Sequence, residues 1–183
     1  IIGRGWGQGP THSQNLQSWF NHIPGIKVVS PTFADDAKNL LISSIFDPNP
    51  VIFLEHRWLH DLHTPELDFD RNKQIGKARL CKTGKDFTII SYSYLTYEAL
   101  EATKILDENY NIKCDLIDLR TIKPLDWQTV HKSLKKTGRM IVLDTGHKTG
   151  SVASDIISNI VTNQSIKLKS RPVKLAMPDF PEP

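Results

Sequence analysis

An open α/β fold, with a mostly parallel sheet and helices on both faces, is the class this sequence predicts. Three observations carry it. Short apolar runs such as residues 26–30 (IKVVS) and 51–54 (VIFL) recur along the chain. Between them lie segments whose apolar residues follow helical spacing. Proline, glycine and asparagine clusters mark the changes of period. Strands that alternate with helices favour parallel pairing with the helices packed over the sheet.

The elements follow in order. Gly3, Gly5, Gly7 and Gly9 alternate before Pro10, a spacing that permits close backbone approach to another group. A helix is expected from Ser13 to His22, stopped by Pro24-Gly25. Residues 26–30 read as a strand. Thr32 with Asp35 resembles a capping box, and Ala37, Leu40, Leu41, Ser44 and Ile45 follow helical spacing until Asp47-Pro48-Asn49-Pro50. Residues 51–54 make a second strand, parallel to the first. The polar stretch after residue 55 has no period, contains Pro65, and reads as a linker to a second unit. The division expected is a first unit over 1–60, a linker over 61–76 and a second unit over 77–183.

In the second unit, residues 77–82 and 86–93 read as paired strands joined by Thr83-Gly84-Lys85. Leu95, Ala99, Ala102, Ile105 and Leu106 mark a helix. Residues 114–119 form a strand, and Pro124 is expected to open a helix running to Lys136. Residues 139–144 form a strand, 150–162 a helix and 173–177 a last strand.

Composition excludes some classes. The chain is 39% hydrophobic and 23% charged, ordinary for a domain with a buried core. A net charge of +3, evenly spread, does not suggest nucleic acid as a partner. No apolar run reaches membrane-spanning length. Cys81 and Cys114 lie apart in apolar strand-like stretches, which reads as free buried thiols in a reducing, cytoplasm-like compartment. The stretch GRGWGQGP lacks the spacing of a phosphate loop. Trp6 within it reads as a contact, core or interface residue. His56, His60 and His63 with Asp61 crowd the linker without the regularity of a metal site. His147 sits in a strand-to-helix loop, where α/β folds often present functional groups.

Two longer strings carry a resemblance. From His12 to His56 the marks are His12-Ser13-Gln14, Pro24-Gly25, Lys27-Val28-Val29, Asp36-Ala37-Lys38 and Asn49-Pro50-Val51 with Glu55. From Asp115 to Ile156 they are Leu119-Arg120-Thr121-Ile122-Lys123-Pro124-Leu125-Asp126 and Lys136-Thr137-Gly138-Arg139. The chain resembles beta subunits of thiamine-diphosphate-dependent 2-oxoacid dehydrogenases, in the transketolase superfamily. The resemblance implies the second half of a pyrimidine-binding α/β domain, followed by most of a transketolase C-terminal-like domain. The chain is thus expected to be a fragment, and inactive alone.

The resemblance also implies a chemistry. The cofactors would be thiamine diphosphate and magnesium, held mainly by the front half of the pyrimidine domain and by an alpha-type partner chain. Thiamine diphosphate acts as an electron sink, and the protein orients it and manages protons. His12 matches the family's catalytic histidine, a residue type suited to proton transfer near neutrality. Ser44, Ile45, Asp47 and Asn49 match a potassium site built from carbonyls and an amide oxygen, although the same turn reads as a simple helix stop. The implied assembly is a homodimer or an alpha2-beta2 form, served by a lipoyl-bearing acyltransferase. The reaction would be oxidative decarboxylation of a 2-oxoacid with acyl transfer to lipoamide. Ketol transfer between sugars, as in transketolase, is the alternative, and an assembly module without catalysis is a third reading.

Overall fold

The computed structural model describes residues 1–3, 7–63 and 74–181. Trp6, Gly5 and most of the expected linker, including Pro65, lie outside the described residues.

Two sheets organise the chain. The first holds β1 (Lys27–Val29), β2 (Val51–Phe53) and β6 (Thr121–Lys123) in the order β2-β1-β6. β1 and β2 are parallel, joined by helix α3 (Ala34–Ile45). β6 runs antiparallel to β1, pairing Val28 with Lys123 and Val29 with Thr121. A strand from the second half of the chain therefore completes the sheet of the first half.

The second sheet holds β3 (Arg79–Lys82), β4 (Thr88–Ser91), β5 (Asp115–Asp118), β7 (Met140–His147) and β8 (Val173–Met177) in the order β3-β5-β4-β7-β8. Only β3 is antiparallel to its neighbour. Successive strand residues face opposite sides, and that alternation divides the core. Ile89 and Leu116 pack with Ala99 of α4 (Tyr94–Tyr110). Ile90, Ile117 and Val142 pack on the other face with α5 (Trp127–Thr137) and α6 (Val152–Thr162). Helices cover both faces, as the sequence predicts.

Several local expectations are corrected. Residues 77–82 and 86–93 do not pair with each other, because β5 lies between β3 and β4. The turn that joins them caps the start of β5 instead. Gly84 donates to the Asp115 carboxylate at 2.8 Å, and Lys85 and Asp86 both donate to the Lys113 carbonyl at 2.9 Å. A Cβ on Gly84 would stand 2.2 Å from the Lys113 carbonyl, so only glycine fits there.

The expected helix from Ser13 to His22 is two short helices, α1 (Gly9–His12) and α2 (Gln17–His22). Polar side chains take the backbone partners that a continuous helix would use. Ser13 Oγ donates to the Gly9 carbonyl at 2.8 Å and Gln14 Nε2 to that of Pro10 at 2.7 Å. Thr32 does not cap α3. Its hydroxyl donates to the Ser93 carbonyl at 3.0 Å, and Phe33 holds the cap position. Pro124 does not open α5. That helix starts after Asp126, whose carboxylate accepts from the Thr129 N–H at 3.1 Å and from its hydroxyl at 2.8 Å.

Candidate functional site

β4 continues through α4 into β5 on one side, while α5 on the opposite face leads into β7 on the other. Such a reversal opens a crevice at the carboxyl ends of the central strands, the usual ligand position in open α/β sheets. Here the crevice receives part of the chain itself. Gln17, the first residue of α2, is fully buried, and its Nε2 lies 3.0 Å from Tyr92 Oη, 3.0 Å from Asp144 Oδ1 and 3.2 Å from Thr145 Oγ1. Tyr92 follows β4, and Asp144 and Thr145 lie in β7.

Asp144 is the hub of this cluster. Its Oδ1 also accepts from the Tyr92 hydroxyl at 2.6 Å and from the Gly146 N–H at 2.8 Å. Its Oδ2 accepts from the Ala153 N–H in the first turn of α6 at 2.9 Å, where the helix dipole favours an anion. Burial, then the neighbouring Asp144 carboxylate, pushes the Tyr92 phenol well above its ordinary range, so Tyr92 stays a donor. Sequence reading missed this cluster, since 127 residues separate Gln17 from Asp144.

His12 ends α1 and is exposed, five residues ahead of Gln17. Ser13 and Asn15 between them are buried. The segment thus holds an exposed imidazole on a backbone anchored in the crevice.

The other histidines divide. His56 is buried at 5% exposure, stacks on the Tyr94 ring at 4.9 Å, and accepts from the Trp58 N–H at 3.3 Å through Nδ1. His60 and His63 are exposed. His147 closes β7, where its Nε2 lies 2.9 Å from the Phe180 carbonyl oxygen. Cys81 is half-buried and Cys114 buried, and both are free. Burial pushes the Cys81 thiol up to about 12 and raises that of Cys114.

A second polar cluster joins the two halves. Asp35 and Asp36, in the first turn of α3, bind cations. Arg79 Nη1 lies 2.9 Å from Asp36 and 3.2 Å from Asp35. Arg120, held at φ 55°, donates to Asp36 Oδ1 at 2.6 Å and to the Lys77 carbonyl. Asp118 is buried beside them, and burial first, then Asp36, raises its carboxyl to about 7.

The turn after α3 fits a set of oxygen ligands in part. Asp47 Oδ1 accepts from the Asn49 N–H at 2.9 Å and its Nδ2 at 3.2 Å, which leaves the Asn49 amide oxygen unspent. Lys27 sits 2.5 Å from Asp47 Oδ2 and holds that carboxyl below its usual range. An ion here would rest on carbonyls and the amide oxygen, not on this carboxylate. Against the implied diphosphate cofactor the described residues fit one task, since His12 offers an exposed imidazole on the anchored segment. Among the described residues no three His, Cys, Asp or Glu gather to hold a metal ion.

Residues 76–183 match the transketolase C-terminal domain, and residues 3–61 match the transketolase pyrimidine binding domain. The chain belongs to the transketolase C-terminal domain family. Within it, the chain is 42% identical over 175 residues to the pyruvate dehydrogenase E1 component subunit beta of Rhizobium meliloti, covering 94% of this chain and 37% of that protein. It is 39% identical to the mitochondrial 2-oxoisovalerate dehydrogenase subunit beta of Dictyostelium discoideum, covering 96% and 48%. It is 36% identical to the acetoin:2,6-dichlorophenolindophenol oxidoreductase subunit beta of Cupriavidus necator, covering 100% and 54%. The chain thus spans about half, or less, of the length of these relatives. A split gene transketolase, solved as an inactive beta4 tetramer, superposes with a TM-score of 0.76 at 23% identity, over 93% of this chain and 54% of that one. At that identity the likeness speaks for the transketolase-type fold alone.

Proposed function

We propose that this chain serves as the beta-type part of a thiamine-diphosphate-dependent 2-oxoacid dehydrogenase, with His12 handling protons at the cofactor. One observation carries the reading. Identity to a pyruvate dehydrogenase E1 beta subunit is 42% overall, in a match that covers 94% of the chain. In this reading the electron sink is the cofactor's. The chain supplies the imidazole of His12 on an anchored segment, facing a group bound by an alpha-type chain. Magnesium and the diphosphate belong to that partner and to pyrimidine-domain polypeptide. The assembly is alpha2-beta2, and the acyl group leaves on the lipoyl arm of an acyltransferase. The carbonyls of Ser44, Ile45 and Asp47 with the Asn49 amide oxygen hold potassium, a hard ion suited to oxygen ligands.

The test uses the full-length protein with its alpha partner. A panel of 2-oxoacids and sugar phosphates is assayed for lipoamide-linked oxidation and for ketol transfer. Oxidation of a 2-oxoacid supports the reading, and ketol transfer alone overturns it. His12→Ala is expected to lower kcat about 100-fold or more while light scattering shows the same assembly. Unchanged turnover removes His12 from the mechanism.

A further inference from the structure

We propose that Gln17, Tyr92 and Asp144 form a latch through which the second half of the chain positions His12. The inference rests on the reading of His12 given above, but the latch itself is a structural claim with its own readout.

Four observations support it. Gln17 is fully buried, yet nothing satisfies its Oε1. An unmade bond of that kind is costly in a buried setting, and the two hydrogens of the amide nitrogen, shared among three oxygens, offset it. Asp144 spends both oxygens on the cluster and the first turn of α6, which fixes the carboxylate independently of Gln17. Gly146 leaves the room, because a Cβ there would stand 2.8 Å from Gln17 Nε2 and 3.4 Å from the Asn15 carbonyl. Beyond Gln17, Asn21 Nδ2 lies 3.3 Å from Asp155 of α6, and Lys123 Nζ donates to the Asn21 and Ile23 carbonyls at 2.8 and 2.7 Å. α2 is therefore pinned along its length to the second half. His12 is the nearest exposed imidazole upstream of that pinned point.

Gln17, Tyr92 and Asp144 are positioning residues on this account. Only His12 would meet substrate or cofactor. Gln17→Glu is the informative change, because it places a carboxylate beside Asp144. Deprotonated, the pair repels. A single shared proton restores a donor toward Asp144. The titratable groups that face the site are Asp144 from β7, Tyr92 beyond β4, which stays protonated, and Asp155 of α6, which lies toward Asn21.

Amide hydrogen exchange on the full-length protein with its alpha partner reads the latch directly. In Gln17→Glu, protection factors over residues 9–17 are expected to fall about tenfold near pH 8 and to recover as pH drops toward about 5. Those of α4 should not change. Tyr92→Phe should lower the same protection, by less and without the pH dependence. In parallel, Gln17→Glu should lower kcat with little change in KM, and kcat should recover over the same pH range as the protection. Unchanged protection in both variants overturns the latch, as does a loss spread equally over β4, α4 and β7. Lost protection with unchanged kcat, in a protein that His12→Ala inactivates, overturns the positioning role. If His12→Ala is harmless, the catalytic reading fails, and the exchange data still decide the latch.

Discussion

Arg120 donates to Asp36 at 2.6 Å with both side chains withdrawn from solvent, at 4% and 0% exposure. Arg120 belongs to the second half of the chain and Asp36 to the first turn of α3. Removing Arg120 leaves the buried Asp36 with Arg79 as its remaining cation, so the cost falls at the low end of that for a broken buried pair, about 3 kcal/mol. Arg120→Leu is therefore expected to lower stability by about that amount in urea melts. Lysine should rescue only in part, since it cannot donate to Asp36 and the Lys77 carbonyl in one planar fork.

Asp118 sets a pH dependence of its own. Burial raises its carboxyl to about 7, from the roughly 3.9 of an ordinary aspartate. The folded state then binds a proton that the unfolded state has lost, so this group's contribution weakens as pH rises between those values. Asp118→Asn is expected to flatten that part of the curve and to raise stability above pH 7 relative to the parent. Chemical denaturation across the pH range checks the slope. A parallel curve for the variant would count against the assignment.

Gly84 tests the sheet order. Its missing Cβ is what lets the turn lie against the Lys113 backbone. Gly84→Ala should cost about 1–3 kcal/mol or more, with hydrogen exchange rising first at β3 and the start of β5. An alanine variant as stable as the parent would exclude this close approach.

The potassium site proposed at the turn after α3 predicts a specific ion effect. The melting temperature of the full protein should rise more in potassium than in sodium chloride at equal ionic strength. Asn49→Ala should abolish that difference. A variant that keeps it places the ion elsewhere.

Much of this architecture was legible in the residues. β8 was read to the residue, and β1, β2, β5 and β7 to within a few, because their apolar runs are bounded by breakers. Three residues of β6 before a proline carry no such signal, so the strand that joins the sheets went unread. The order of β3 and β4 escaped because strand pairing depends on where β5 inserts, not on the intervening turn. His12 was visible only through a short motif. The groups that hold its segment are a glutamine, a tyrosine and an aspartate scattered along the chain. Their kinship exists in three dimensions alone.

The placement of β6 has a practical corollary for anyone who would recombine these proteins. Exchanging everything after the linker with a homologue also exchanges the outer rail beside β1, together with Arg120 and its grip on α3. Chimeras cut there should tolerate foreign surface loops better than a foreign Thr121–Lys123 segment. A graft that keeps that tripeptide and Arg120 native gives the transplanted half a matching seam.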